Sequence, residues 1–221
     1  INLFVILFLT GLFLLFNLII CMKDKIMELK DIQKDLEKIL SPKRFRHSRG
    51  VAETARHLAE KYGADSRKAY VAGWVHDCAK ELSLADMQHI VKDAGLKADP
   101  YLLSSRALLH GPAGSILAET KYGIGDKEIQ SAVYYHTTGR ADMTLLEKII
   151  FLADYIEPSR DFPGVANLRK LSEINLDEAL LAAYDSTISH LLDQKAYIYD
   201  LTFIGRNDLV LKIKEKKNEK E

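Results

Sequence analysis

Residues 144–158 read TLLEKIIFLADYIEP, and a strand does not account for them. Thr144 and Glu147 stand three apart at the head of the run. At that spacing the hydroxyl accepts a backbone N–H of the first turn while the carboxylate reaches back to the capping residue. Pro158 closes the run, because proline has no N–H for the preceding turn and its ring clashes with that turn. Between these signals the apolar residues recur at helical spacing. Outward from this helix the same period continues on both sides, and alternating runs long enough for strands are scarce, so an all-α fold is expected.

Upstream, Leu29, Ile32, Leu36, Ile39 and Leu40 make an apolar stripe that Ser41-Pro42 ends. The next helix is expected from near Ser48 to Tyr62, with Val51, Ala55, Leu58 and Ala59 facing the core and Gly63 closing it. Asp65 caps a helix that runs to His76-Asp77, and Ser83 with Asp86 opens a short one that Gly95 closes. Pro112 suits the first turn of a helix ending before Gly123, and Asp126 caps a segment that ends at His136, with Gly139 at the following turn. Downstream, Asn175 with Glu178 opens a helix carrying Leu180, Leu181, Tyr184 and Ile188. Residues 211–221 are almost entirely Lys, Glu and Asn and are expected to fray into solvent. One domain over residues 27–210 is expected, with no internal repeat and no dividing linker.

Residues 1–22 carry no charge, and LFVILFLTGLFLLFNLIIC (3–21) is long enough to cross a bilayer core. Two explanations compete. The segment is a membrane anchor, with Lys23 and Lys25 keeping the rest of the chain in the cytoplasm. Alternatively it is upstream sequence translated from a misplaced start, since the chain begins with Ile and both Met22 and Met27 precede an ordinary amphipathic helix. A basic n-region and a small-residue cleavage site are missing, which argues against a secretory signal.

Lys plus Arg and Asp plus Glu both number 31. The chain therefore lacks the positive field that non-specific nucleic-acid binding requires, though a few cations around a small anion would not disturb that balance. Two cysteines, Cys21 and Cys78, cannot build a disulfide framework, and a reducing compartment, the cytoplasm, fits them.

His47, His76-Asp77, His110, His136 and Asp154 all fall at or near expected helix ends, where side chains from different helices can converge. A lone His-Asp neighbour means little, since chance supplies one in roughly every second chain of this composition. Neighbouring helical residues point about 100° apart, so His76 and Asp77 reach one centre only where the helix ends. Imidazole with carboxylate suits Fe, Mn, Zn or Ni rather than Ca or Mg. Four imidazoles are too many for one catalytic ion with open positions, but they divide well between two.

RFRHSRGVAETA (44–55), GWVHDCAKEL (73–82), LLHGPAGSILAE (108–119), AVYYHTTGR (132–140) and FLADYIEPSR (151–160) together resemble HD-domain proteins, specifically the YqeK-type symmetrical diadenosine tetraphosphate hydrolases. The likeness spans His47 to Arg160, and the helical remainder to about residue 205 is also similar. It implies an HD-domain helical bundle with two divalent transition-metal ions, iron being the one most associated with the family. His47, His76 and Asp154 would hold one ion, His110 and His136 the other, and Asp77 would bridge them. Two ions about 3.5–4 Å apart can share a hydroxide and aim it at phosphorus. In the family reaction it attacks an inner phosphorus of the four-phosphate bridge and releases two ADP.

Lys80 follows Asp77 by three residues, about one turn, and Arg160 stands six after Asp154 beyond the Pro158 stop, so the first is expected to neutralise phosphate oxygens and the second to clamp a further phosphate. Thr137, Thr138 and Gly139 become donors to the nucleotide. Glu157 either supports a ligand from behind or faces water, and Cys78, Trp74, Tyr134 and Tyr135 are expected to pack. His57, His89 and His190 lack such contexts. Two rivals remain open: a phosphatase or phosphodiesterase acting on another nucleotide, and a non-catalytic nucleotide sensor. A homodimer is compatible with each of these readings.

Overall fold

The computed structural model describes residues 27–219, and among these every regular element is a helix. The apolar segment 1–22 and the last two residues lie outside the described part. The run 144–158 supplies a helix over Leu145–Ile156, with both hydrogen bonds of the capping box made: Glu147 N donates to Thr144 Oγ1 at 3.2 Å and Thr144 N to Glu147 Oε2 at 2.8 Å. Its flank is buried almost throughout, from Leu146 to Ile156, so it serves as the central rod of the bundle.

In chain order the helices are α1 (Leu29–Ile39), α2 (Pro42–Tyr62), α3 (Ser66–Val75), α4 (Leu84–Asp93), α5 (Pro100–Ser104) and α6 (Arg106–Thr120). They continue with α7 (Lys127–Tyr135), α8 (Leu145–Ile156), α9 (Val165–Ser172), α10 (Leu176–Asp193) and α11 (Asp200–Asn218). Caps fall where side-chain chemistry placed them: Asp65, Ser83, Asp126 and Asn175 each accept a backbone N–H of the first turn.

The apolar interior has two parts. The larger joins α1, α2, α3, α7, α8 and α10 around Leu36, Val51, Leu58, Ile149, Leu152 and Leu180. The smaller joins α4, α5 and α6 around Met87, Val91, Leu102 and Leu109. His76 and Asp77 sit where the chain leaves the first for the second, because Val75 and Cys78 belong to one and Ala79 to the other.

Two glycines set how near the helices come. A Cβ on Gly73 would stand 2.5 Å from Ala52 Cα, so α2 and α3 touch backbone to backbone; a Cβ on Gly111 would stand 2.6 Å from the carbonyl oxygen of Tyr134, where α6 meets α7. These close approaches bring His47 up to His76 and His110 up to His136.

Three boundaries differ from the sequence reading. α2 begins at Pro42, not near Ser48: Ser41 stops α1 but also caps α2, taking the N–H of Arg44, and proline fits the first helical turn as well as it ends the previous one. α6 begins at Arg106, which leaves Pro112 inside the helix instead of in its first turn. His47 and His110 therefore project from the sides of helices. Finally, residues 211–218 are helical and do not fray. Lys212 pairs with Asp142 and Asp208, Lys216 with Asp177 and Lys217 with Glu178, while Ile213 is buried. The charges that suggested a solvated tail are what dock it. Ile39, expected in the α1 stripe, is 41% exposed, whereas Ile32, Leu36 and Leu40 are buried.

Candidate metal centre

The six residues singled out in the sequence meet. His47 comes from α2, His76 and Asp77 from the end of α3, His110 from α6, His136 from the end of α7, and Asp154 from α8. His47 Nε2 lies 3.3 Å from His76 Nε2 and 3.0 Å from Asp154 Oδ1, and His76 Nε2 lies 3.9 Å from the same oxygen. On the other side His110 Nε2 lies 2.9 Å from His136 Nε2. Asp77 stands between the two groups. Its Oδ2 is 3.6 Å from His47 Nε2 and 3.5 Å from His76 Nε2, while its Oδ1 is 3.2 Å from His110 Nε2 and 3.6 Å from His136 Nε2.

Whether these residues suit a cation can be judged from their protons. His76 Nδ1 faces the Gly73 carbonyl at 2.7 Å, His136 Nδ1 the Val133 carbonyl at 2.7 Å, and His47 Nδ1 the Glu157 carboxylate at 2.9 Å. An acceptor at Nδ1 assigns the ring proton there, so each Nε2 turns a lone pair inward. Those lone pairs face one another and two carboxylates. The buried Asp77 Oδ1 accepts no hydrogen bond. Lone pairs and carboxylate oxygens converging this closely repel unless a positive charge sits among them. The donor set fits divalent ions, and His-N with Asp-O donors and fixed outer acceptors is the pattern of a transition-metal site.

Protonation tendencies point the same way. Burial pushes His76 down, and burial with the charges of His136 and Lys80 pushes His110 down to about 4, so both rings stay neutral. Burial alone would raise Asp77, but the surrounding imidazoles of His76, His110 and His136 hold it well below the usual carboxylate range. Asp154 behaves likewise, with burial outweighed by His47 and Arg160. His47 is the exception: burial opposes its charge, yet Asp154 at its Nε2 and Glu157 at its Nδ1 raise its pKa, so without a metal its Nε2 favours a proton, and a cation there would take that proton's place.

Of the remaining candidates, Lys80 is in place: its Nζ is 3.0 Å from His110 Nε2 and 3.9 Å from Asp77 Oδ1. Burial lowers its pKa. Arg160 turns back onto Asp154, donating to the side-chain Oδ1 and, at 2.8 Å, to the backbone carbonyl. Thr137 Oγ1 is 3.1 Å from His136 Nε2 and 3.2 Å from His110 Nε2. Thr138 and Gly139 do not join them. Thr138 is buried and donates to the Gly139 carbonyl, and a Cβ on Gly139 would run into the Tyr184 hydroxyl, so this turn packs into the core instead of lining the site. Cys78 is buried, as expected. Glu157, left undecided by the sequence, is 1% exposed behind His47.

The sequence reading missed Arg44, whose Nη1 donates to Asp77 Oδ2 at 2.6 Å. It stands three residues before His47 on α2, so the two share a helix face; once α2 is started at Pro42, that spacing is the signal that would have found it.

The HD domain family matches residues 44–159, a stretch that contains all six donors, and this domain implies divalent-metal binding by such His and Asp groups. A Bacillus subtilis (strain 168) protein named "Bis(5'-nucleosyl)-tetraphosphatase, symmetrical" is 42% identical over 172 residues, 77% of this chain and 91% of that protein. A Staphylococcus aureus (strain NCTC 8325 / PS 47) protein of the same name is 39% identical over 178 residues, 80% of this chain and 91% of its own length. A crystal structure described as a predicted HD superfamily hydrolase involved in NAD metabolism, from Clostridium acetobutylicum, superposes with a TM-score of 0.83 at 42% identity, covering 85% of this chain and 99% of that one. With the family match over residues 44–159, the shared fold and this identity along most of its length, the chain belongs to the HD-domain family, alongside the symmetrical bis(5'-nucleosyl)-tetraphosphatases.

Proposed function

We propose that this protein hydrolyses diadenosine tetraphosphate symmetrically to two ADP. The observation that carries the proposal is the division of Asp77: one carboxylate oxygen faces His47 and His76, the other faces His110 and His136. In this reading His47, His76 and Asp154 would hold one divalent ion, His110 and His136 would hold a second, Asp77 between them would serve both, and iron is the metal the family resemblance favours. Such ions supply Lewis-acid charge and lower the pKa of water at the site, which suits phosphoanhydride hydrolysis.

The protein's own groups do the rest. Lys80, Arg44 and Arg160 surround the donors with fixed positive charge, in position to draw the phosphate chain down and to offset charge growing on its oxygens. Glu157, Gly73 and Val133 fix the ring orientations from behind, so little reorganisation is left for the moment of reaction. The Thr137 hydroxyl sits beside His110 and His136 and can donate to a phosphate oxygen. A buried free Cys78 suits a reducing compartment, and on that ground we assign the activity to the cytoplasm; among the described residues no helix is long and apolar enough to cross a membrane.

The test is product identity. Purified protein loaded with ferrous ion is given diadenosine tetraphosphate and the products are separated by chromatography. ADP as the sole nucleotide product is expected, and none after complete chelation or in Asp77→Ala. ATP with AMP, or full activity in the chelated sample, refutes the assignment.

A further inference from the structure

The segment that follows α8 carries two groups that hold the donors. Glu157 takes His47 by its Nδ1 at 2.9 Å, and Arg160 donates to Asp154 Oδ1. Residues 157–160 lie outside any helix, so no ladder of backbone hydrogen bonds keeps this carboxylate and this guanidinium in register. Something else must tie the backbone down.

Part of the tie is local. Ser159 N donates to Glu157 Oε2 at 2.7 Å, and Arg160 N donates to the Glu157 carbonyl at 3.0 Å. Gly50 on α2 leaves the carboxylate its room, since a Cβ there would stand 2.5 Å from Glu157 Oε2. The carbonyls at the C-terminal end of α8 are a separate matter, because the last turn of a helix has no N–H of its own to meet them. One side chain serves this end and the loop beyond it. Arg169, on α9, donates from Nε to the Ile156 carbonyl at 2.8 Å and from Nη2 to the carbonyls of Glu157 and Arg160, each at 2.8 Å. The planar fork of a guanidinium can serve several acceptors at once, and a cation is favoured at the negative end of a helix.

α9 is itself held from two sides. Leu168 is buried in the larger core, and the Tyr62 hydroxyl at the end of α2 donates to the Ser172 carbonyl at 2.6 Å. Arg169 is thus a fixed point behind the loop, and it lies beyond residues 44–159, which the HD domain family matches.

We propose that Arg169 is a positioning residue for the half of the metal centre built on His47 and Asp154. It fixes the backbone at Glu157 and Arg160, and those two side chains pass the constraint to His47 and Asp154. This rests on the two-ion reading and extends it: the constraint reaches one ion of the pair, while His110 and His136, which come from α6 and α7, stand outside its path.

Arg169 is half-buried and walls an open hollow of about 380 Å³ with Thr54, Pro158 and Lys170. Water can therefore reach the three carbonyls in Arg169→Ala, and the variant can fold. Full-length wild type, Arg169→Ala, Glu157→Gln and the double variant are loaded with zinc in competition with a chelator. Nitrogen resonances of the imidazoles report release ring by ring. In Arg169→Ala the His47 and His76 rings are expected to lose zinc with about tenfold lower affinity, the scale of a lost outer partner, while His110 and His136 hold it as in wild type. Glu157→Gln should cost less in the Arg169→Ala background than alone, because both act along one path. Equal weakening at all four rings, unchanged affinity at all four, or full additivity of the two substitutions overturns the proposal. A wild type that takes up a single zinc ion refutes the two-ion reading instead. Arg169 is then judged on the ring signals of the chelated chain, where a change at His47 alone supports its role and a change at every ring or at none overturns it.

Discussion

At the scale of single residues, the centre depends on groups that never touch an ion. Glu157 is buried and holds His47 by its Nδ1. Glu157→Gln keeps the shape and one acceptor but removes the charge that polarises the ring. We expect metal affinity to fall by about tenfold or more, the usual effect of losing an outer partner, measured by competition with a chromophoric chelator. An unchanged affinity would count against any supporting role for this carboxylate. The six candidate donors, which the structure brings together, could be singled out in the sequence because their residue types are scarce and their flanking motifs specific. Arg44 and Glu157 were harder: the spacing of Arg44 from His47 has meaning only once α2 begins at Pro42, and in a chain that is 28% charged Glu157 reads equally as a buried or a solvated carboxylate.

The same scale fixes how the metal-free protein responds to acid. His110 titrates at about 4 when folded, against its ordinary 6.5, so the unfolded chain takes up the proton first and folding weakens as pH falls through that window. The loss from His110 alone is about 3 kcal/mol by pH 4. His76 is shifted in the same direction, and the depressed carboxyls of Asp77 and Asp154 surrender their contributions at still lower pH. His47, raised when folded, gives its full contribution at every pH below its ordinary value and is level across this window, so it does not offset the fall. The chelated protein should show a melting temperature that drops steadily from pH 6.5 to 4. A flat profile would mean these groups are not buried together.

At the scale of elements, helix contacts decide where the donors stand. α3 lies so close on α2 that a methyl group at Gly73 would meet the Ala52 backbone, which cannot move aside as a side chain would. Gly73→Ala is expected to destabilise the protein by about 1–3 kcal/mol through overpacking. It should weaken metal binding as well, because the Gly73 carbonyl orients His76. Chemical denaturation and metal titration on the same sample check both halves; a stable variant with intact affinity would show that the contact is loose. Element types were readable from periodicity, and α8 was placed almost to the residue because a capping box and a proline mark its two ends. The starts of α2 and α6 were misplaced for a physical reason. A proline is compatible with the end of one helix, the first turn of the next, and, at Pro112, an interior where packing against α7 outweighs one missing hydrogen bond.

At the scale of the whole molecule, net charge is zero while Arg44, Lys80, Arg106 and Arg160 line two neighbouring hollows that share Arg44. The docking of α11 is the other fact of this scale, and it escaped the sequence because its partners Asp142, Asp177 and Asp208 lie on other segments or one turn back. Donors from five helices, spread from residue 47 to residue 154, make any bound ion a tie between distant parts of the chain. Ions held a thousandfold above their dissociation constant add about 4 kcal/mol, or about 10 °C in a domain of this size. Differential scanning calorimetry with and without chelator should show a gap of that order, and superimposed curves would deny the tie.

Because the tie is drawn from five helices at once, the cation governs more than chemistry. A cell starved of it would hold the same polypeptide in a slacker form whose helices open more often to proteases. Supply of the metal would then set how long each copy survives as well as how fast it turns over.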